Sequence, residues 1–314
     1  MNVAGTMNIR RLKSFITIVD MGSITRAADA LHIAQPALSQ QLVALEEHFK
    51  RQLLIRSQQG VVPTEAGKVL YGHAHAMLRQ FAQAEADVLS AGQRLSGRVS
   101  VGLAPFSVAS TLSMALLSEM RLRHPGILLH LVESVGQAYS ELVANGRLEM
   151  ALLHGCGGVK GLQYEPLLEE NFFFVAHADF DFDDDGGPLQ VSQLSALPML
   201  LPPAYNFVRR AIDEAFSLHH QSLNIVGELE AVKSIARAVD AGLGCTIMPK
   251  AIAERIQSES RDVVIRSITG PAISQTLSLC VSDRTPLSEP AAAVRELLIE
   301  LTQNLTRGDN ILSH

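Results

Sequence analysis

The side chains between positions 35 and 40 are of the types that can read the edges of DNA bases. Gln35, Gln40 and Ser39 offer amide and hydroxyl groups, and Pro36 and Ala37 offer small apolar surfaces. Glutamine can pair with adenine, serine can bond to a base or a phosphate, and a small apolar group can touch the methyl group of thymine. Carried on the exposed face of one helix, these side chains predict recognition of the DNA major groove.

The apolar residues of the same segment predict such a helix. Leu38, Leu42, Leu45 and Phe49 recur at helical spacing and are expected to face a core. Pro36 suits the first helical turn, where a missing N–H costs nothing. The opposite side of the helix, with the polar row on it, is therefore expected to be exposed.

A short helix is expected just before this segment. Ser23 is a good N-cap, Ala27 and Ala28 are small enough to let another helix pass closely, and residues 32–34 form the turn. Two short helices joined by a tight turn are typical of a helix-turn-helix. The alternative is a surface helix that happens to be polar on one side.

The flanking segments favour DNA binding over that alternative. An amphipathic helix is expected before the pair, with apolar positions Ile9, Leu12, Phe15, Ile16 and Val19. Residues 56–64 are expected to form a short hairpin after it. Such a hairpin suits a wing whose Arg56 meets phosphate or enters the minor groove.

Residues 7–71 resemble the winged helix-turn-helix of LysR-type transcriptional regulators. The matching positions are Phe15, Ser23, Thr25, Ala27, Ala28, Leu31, Gln35, Pro36, Ala37, Ser39, Gln41, Leu45, Glu46, Leu53, Arg56, Thr64 and Gly67. Residues 31–41 and 52–56 are also similar to the nitrogen assimilation control subgroup. With this resemblance, the predicted DNA-binding residues are Ser23, Thr25, Gln35, Pro36, Ala37, Ser39, Gln40, Arg56, Gln58 and Thr64.

Two positions depart from the family pattern. The family usually has a left-handed glycine after the recognition helix, where this chain has Lys50. A lysine there either costs on the order of 1 kcal/mol or marks a differently built turn. Gln58 and Gln59 replace basic wing residues of the subgroup, which predicts a shallower dependence of DNA binding on salt.

The distribution of charge agrees with a DNA-binding N-terminus. The 314-residue chain has a net charge of −6, which taken alone disfavours nucleic acid. Residues 1–98, however, carry 11 Lys and Arg against 7 Asp and Glu, and the remainder carries 15 against 25. The basic part thus coincides with the helix-turn-helix, as an electrostatic footprint requires.

A helix without proline is expected from Thr64 to about Arg94, with a dimerisation seam along it. Apolar residues recur every 3.5 residues, which is typical of a coiled coil. An ordinary amphipathic helix packed on its own domain is the alternative. The position of the predicted helix between a head and a separate body favours the pairing of two chains. The seam residues are Leu70, Ala74, Met77, Phe81, Ala84 and Val88.

After residue 98, short apolar strands alternate with helices, and the expected elements include a helix at 108–123 and a strand at 171–176. This βαβαβ rhythm predicts a parallel sheet in an α/β body. The LysR resemblance extends over this half and implies two α/β subdomains of periplasmic-binding-protein type. The expected organisation is a disordered extension (1–6), head (7–65), linker helix (66–92), hinge (93–98), subdomain I (98–168 and 271–306), subdomain II (169–270) and tail (307–314).

An effector pocket is expected between the subdomains. Ligands of open α/β sheets collect at the carboxyl ends of strands, and Ser107, Tyr205 and Asn206 follow predicted strands. Ser107 could cap a helix and present its amides to an anion. A simple capping role for Ser107 is the alternative.

Other motifs do not indicate catalysis or a cofactor. Gly242 and Gly244 lack the third glycine of a nucleotide loop, and residues 181–187 lack the spacing of a calcium loop. The histidines lack metal-ligand spacing, and the three cysteines lack CxxC spacing, which fits a reducing cytosol. We therefore expect no catalytic residues, no metal and no cofactor.

The expected function is sequence-specific transcriptional regulation in the bacterial cytoplasm. The resemblance implies double-stranded promoter DNA as partner, a homodimer or homotetramer, and regulation by a small-molecule effector or by abundance, with RNA polymerase as a further partner. No apolar run approaches the roughly 18 residues of a membrane helix, so no membrane partner is expected. The alternatives are a DNA-binding head fused to a catalytic α/β domain and a free-standing solute-binding protein, which the head disfavours.

Overall fold

The computed structural model of the chain describes residues 7–57, 60–89, 95–133, 139–155, 159–180, 186–260 and 262–307. The predicted extension (1–6), nearly all of the predicted tail, part of the hinge, Gln58, Gln59, Cys156 and most of the acidic segment 181–187 lie outside these residues. The described chain forms a head, a long linker helix and an α/β body.

The head contains three helices and a two-stranded hairpin. Its elements are α1 (Ile9–Met21), α2 (Ile24–Leu31), α3 (Gln35–Phe49), β1 (Leu54–Ser57) and β2 (Gly60–Pro63). The side chains of Asn8 and Ser23 accept backbone N–H groups at the starts of α1 and α2. The apolar faces of these helices meet in one core that includes Leu12, Phe15 and Leu38.

The linker helix α4 (Glu65–Leu89) begins against the wing. A β-carbon added at Gly67 would lie 2.1 Å from the carbonyl oxygen of Leu53, so only glycine allows this approach. Leu70 and Ala74 are buried in the core of their own head. The predicted intermolecular seam is therefore wrong for these two residues, because the helix periodicity did not distinguish the head's core from a partner chain.

The described part of the body contains a mixed sheet of eight strands and a separate parallel pair of strands. Its strands are β3 (Ser96–Leu103), β4 (Gly126–Val132), β5 (Met150–His154), β6 (Leu162–His177), β7 (Leu189–Gln190), β8 (Pro198–Leu201), β9 (Asn224–Glu228), β10 (Thr246–Pro249), β11 (Val263–Thr269) and β12 (Ser274–Ser282). Its helices are α5 (Leu112–Arg123), α6 (Tyr139–Ala144), α7 (Val191–Leu194), α8 (Phe207–Leu218), α9 (Val232–Asp240), α10 (Lys250–Glu259) and α11 (Glu289–Arg307). Strand β3 runs parallel to β4 and β5, as the βαβ rhythm predicts.

Two large apolar cores divide the body. The first lies among β3, β5, β12, α5 and α11, and we call the part around it subdomain I. The second lies among β8, β10, α8, α9 and α10, and we call the part around it subdomain II. Strand β6 joins them, because it pairs with β12 up to Asn171 and with β10 and β11 from Phe172 onward.

Several predicted boundaries differ from the structure. Strand β6 is much longer than the expected strand 171–176, and α10 and β11 were not predicted at all. The expected helix from Val108 begins with a 3-10 turn, Val108–Thr111. The predicted core position of Phe49 is wrong, since its side chain is 38% exposed at the end of α3 and packs edge-on against His48. Among the described residues, no helix is long and apolar enough to cross a membrane.

Candidate DNA-binding surface and effector cleft

The N-terminal part of α3 presents the predicted polar row to solvent. Gln35, Pro36, Ala37 and Gln40 are exposed, and Ser39 is half-buried. The side-chain amide of Gln35 donates to Ser39 Oγ at 3.2 Å, one helical turn away. The structure therefore brings together five of the predicted base-reading residues on one accessible helix end.

The opposite side of α3 fixes that helix in the head. Leu38, Leu42 and Leu45 are almost fully buried. The hydroxyl of Ser14 on α1 also donates to Gln41 Oε1 at 2.7 Å. Because apolar packing and a hydrogen bond between helices hold α3, its exposed row has a defined direction.

The hairpin of β1 and β2 forms the predicted wing. Arg56 lies opposite Val61 in the antiparallel pair and its side chain is exposed. The backbone N–H of Val61 donates to the carbonyl of Gly22 at 2.9 Å, which anchors the wing to the turn between α1 and α2. Arg56 is thus an exposed cation on a supported hairpin that follows α3 in the chain.

Lys50 forms the C-cap at the end of helix α3. Its backbone is left-handed, with φ 51° and ψ 36°, and its N–H donates back to the last turn. The turn after α3 is therefore left-handed and is made by a lysine, where the resemblance predicts a glycine. The lysine costs on the order of 1 kcal/mol of backbone strain relative to glycine.

Two residues predicted to contact DNA also have structural roles inside the head. The Thr64 hydroxyl donates to the carbonyl of Gln52 at 2.8 Å and accepts the N–H of Gly67 at 3.0 Å, so it caps α4. The half-buried Ser23 accepts the N–H of Arg26 at 3.4 Å and caps α2. Both interactions of the Thr64 hydroxyl are internal, whereas Thr25 is exposed.

The second half of the predicted seam is accessible. Met77 and Phe81 are 38% and 46% exposed, Val88 is 77% exposed, and Ala84 is also exposed. These four residues lie on one side of α4 beyond the part that packs in the head. We call them the exposed seam.

A buried polar cluster around Ser107 lies where the two subdomains meet, at the place of the predicted effector cleft. The Ser107 hydroxyl donates to Glu170 Oε2 at 2.5 Å, and the N–H of Val108 donates to Glu170 Oε1 at 2.9 Å. His154 Nε2 lies 2.5 Å from the same Oε2 atom. Ser107, His154 and Glu170 are all at least 90% buried. We call these three residues and Val108 the Glu170 cluster.

The other two predicted effector residues lie across the cleft. Asn206 is buried and caps α8 by accepting the N–H of Val208 at 2.9 Å. Its neighbour Phe207 stacks on the ring of His154, with centroids 3.9 Å apart and planes 11° apart. Tyr205 is 54% exposed and its hydroxyl donates to Glu230, so it lies outside the buried cluster.

The serine, histidine and carboxylate do not form a catalytic relay. Such a relay requires the histidine to take a proton from the serine, but Ser107 and His154 both bond to Glu170 instead. Burial also raises the pKa of the Cys245 thiol to about 12 and that of Cys280 to about 11, so neither is an activated nucleophile. No metal-binding group of His, Cys, Asp or Glu occurs among the described residues.

Glu170, His154 and Phe207 were not predicted from the sequence. One signal was available, because Glu170 stands two residues before the apolar run 172–176 and His154 ends an apolar strand. A charged residue so close to a buried strand is rarely buried without a partner. The partner itself depends on how the two subdomains meet, and the local pattern does not contain this information.

Comparison with known proteins agrees with the two-part organisation. A family model described as "Bacterial regulatory helix-turn-helix protein, lysR family" matches residues 9–68. A second, described as "LysR substrate binding domain", matches residues 92–303. The chain is 42% identical to the nitrogen assimilation regulatory protein nac of Klebsiella aerogenes and 41% identical to that of Escherichia coli. Each match covers 94% of this chain and 95% of the relative.

Solved structures show the same fold. A full-length OxyR variant from Pseudomonas aeruginosa has a TM-score of 0.72 at 20% identity, covering 95% of both chains. Full-length CbnR in complex with its target DNA has a TM-score of 0.63 at 19% identity, covering 94% of this chain and 100% of that one. LysG from Corynebacterium glutamicum with bound effector arginine has a TM-score of 0.66 at 20% identity, covering 95% and 99%.

Proposed function

We propose that this chain, which belongs to the LysR family of bacterial DNA-binding transcriptional regulators, reads promoter DNA through the exposed end of α3. The observation that carries this proposal is the accessible row of Gln35, Pro36, Ala37 and Gln40 on a helix whose other side is fixed in a core. Gln35 and Gln40 read base edges, and Pro36 and Ala37 contact thymine methyl groups. Ser39 supports the row through its bond to Gln35.

The wing and the basic surface of the head hold the DNA backbone in this proposal. Arg56 binds phosphate or the minor groove, because it is exposed on a hairpin anchored beside α3. Arg26, Lys50 and Arg51 are further exposed cations of the head. Phosphate contacts of this kind set affinity without selecting sequence.

Two heads act together in the proposed complex. The exposed seam of α4 pairs two chains into a homodimer, and two dimers form a homotetramer. Burial of large apolar side chains such as Phe81 and Val88 is favourable in free energy, and pairing of two such helices would bury them. A dimeric helix-turn-helix protein then meets two half-sites on the promoter.

We further propose that the target genes belong to nitrogen assimilation, since the 41–42% identical relatives are named for that process. The body is regulatory and not catalytic, and it transmits either a small-molecule effector or the protein's own abundance to the heads. The proposed site of action is the bacterial cytoplasm, with RNA polymerase as the partner at the promoter.

Selection from a random DNA pool with purified protein tests the proposal. We expect enrichment of an interrupted palindrome with T and A flanking a variable centre, at both a low and a high salt concentration. The enriched motif should then occur upstream of nitrogen assimilation genes in the source genome. A pool without enrichment at either salt concentration contradicts sequence-specific recognition, and a motif absent from those promoters contradicts the nitrogen assignment.

A further inference from the structure

The Glu170 cluster uses the hydrogen-bond donors that an anionic ligand of this cleft would need. The hydroxyl of Ser107, the N–H of Val108 and the ring of His154 converge on one carboxylate. Donors converging from a chain turn and from a neighbouring strand end are typical of a site for a carboxylate or a phosphate. Here the carboxylate that accepts from these donors is the side chain of Glu170.

Burial makes this arrangement specific to an anion. Glu170 is only 6% exposed, and a carboxylate in that position is costly without charge-assisted hydrogen bonds. Oε1 receives one hydrogen bond and Oε2 makes two short contacts, so both oxygens have partners. An added anion would compete for donors already taken and would meet the negative charge of Glu170.

The cluster also lies where the two subdomains are joined. Glu170 is on β6, two residues before that strand changes its pairing partner from β12 to β10. Phe106, beside Ser107, is fully buried in the core of subdomain II. The stacking of His154 on Phe207 forms another contact from subdomain I to subdomain II. The carboxylate therefore binds at the point where the two subdomains meet.

His154 provides an independent sign that the cluster is built around the carboxylate. Its side chain has no exposed surface, and its Nδ1 atom has no hydrogen-bond partner among the described residues. A fully buried imidazole with one nitrogen unpaired is held by its other nitrogen and by its ring contacts. Those are the bond to Glu170 and the stack on Phe207.

From these observations we infer that Glu170 is an internal ligand, which takes the donors that an anion would need between the two subdomains and holds the subdomains together without a small-molecule anion. This inference rests on the proposed regulatory role of the body and deepens it. It argues against an anionic effector at this position, since the donors there already bond to Glu170.

Replacement of Glu170 with alanine tests the inference, because the removed Cγ and carboxylate have the shape of acetate. In E170A, acetate should bind in the vacated position and raise the midpoint of thermal unfolding by about 4 °C at roughly ten times its dissociation constant. Acetamide has the same shape without the charge and should have little effect. E169A is the matched control, because Glu169 is the exposed neighbour on the same strand and bonds to Thr276 instead.

Hydrogen exchange of the segment 106–111 provides the second readout. We expect its amides to exchange about tenfold faster in E170A than in the wild type and to be protected again by acetate. E169A and the wild type should not respond to acetate. Equal responses of E170A and E169A, or none in E170A, would overturn the inference.

The wild-type protein gives a test that does not depend on the folding of E170A. Its exchange in the segment 106–111 should be the same in chloride and after addition of acetate, phosphate or a dicarboxylate. Slower exchange with any of these anions would show that the position is open to an external ligand and would refute the internal one. Since no DNA is present in these measurements, their failure is distinguishable from a failure of promoter recognition.

Discussion

The carboxylate of Glu46 accepts the backbone N–H of Leu53 at 2.8 Å. The same oxygen lies 3.3 Å from the N–H of Leu54, the first residue of the wing. Glu46 is in the last turns of α3, so one side chain joins the recognition helix to the hairpin behind it. Correct relative placement of base-reading and phosphate-binding residues depends on this link.

Glu46→Ala should therefore weaken both the head and its binding to DNA. The buried N–H of Leu53 loses its acceptor, which should lower the free energy of unfolding of the head by about 1–3 kcal/mol. Affinity for specific and random DNA should fall together, because the wing is displaced for every sequence. Hydrogen exchange of α3 and fluorescence anisotropy with both DNAs measure the two effects.

Glu47→Ala is the control for that substitution, because it removes the same charge from the exposed neighbour of Glu46. Its loss of a negative charge should leave the exchange of α3 unchanged. If Glu46→Ala and Glu47→Ala behave alike, the link between helix and wing has no energetic role.

The helical parts of the head could be predicted because their signals are local. The spacing of Leu38, Leu42 and Leu45 determined which side of α3 is buried, and Ser23 marked the start of α2. The same spacing misled at Leu70 and Ala74, because periodicity shows that a face is buried but not which chain buries it. Which chain covers a helix face depends on contacts that are distant in sequence, and the spacing of residues within one helix does not show them.

Gln35→Ala and Gln40→Ala should relax base preference without unfolding the head. Both side chains are exposed, so their loss should leave stability within about 0.5 kcal/mol of the wild type. Loss of a base contact should reduce discrimination at one position of the motif by about 1–3 kcal/mol. Random-pool selection with each variant measures this effect.

The control for the glutamine variants is Gln221→Ala, which makes the same substitution in the body, just after α8. It should give the wild-type motif. An unchanged motif in both Gln35→Ala and Gln40→Ala would remove these residues from base readout.

Arg56→Ala should weaken binding to all DNA sequences about equally. Removal of one phosphate contact should reduce the slope of log affinity against log salt by about one unit or less. Lys233→Ala removes an exposed cation from α9 in the body and should leave the slope as it is. A slope that stays the same in Arg56→Ala would place Arg56 in a structural role.

The cleft shows why the site could be predicted only in part. Ser107 and Asn206 were identified because each follows a predicted strand, and both do cap the turn or helix that follows. Glu170 could not be identified in this way, since its partners lie 16 and 63 residues away along the chain. Such contacts are set by the folding of β6 across both subdomains.

Phe81→Asp should convert the dimer into monomers. Phe81 is 46% exposed in the middle of the exposed seam, and a charge there would have to be buried unpaired between two helices. Ala82→Asp is the matched control, because the next residue points about 100° away around the helix and is also exposed. Sedimentation velocity of both variants over a range of concentrations measures the assembly state. A dimer that persists in Phe81→Asp, or is lost equally in Ala82→Asp, would exclude the exposed seam as the interface. If only Phe81→Asp loses the dimer, the affinity of this variant for a full palindrome should fall to its weak affinity for a half-site, since each head remains folded.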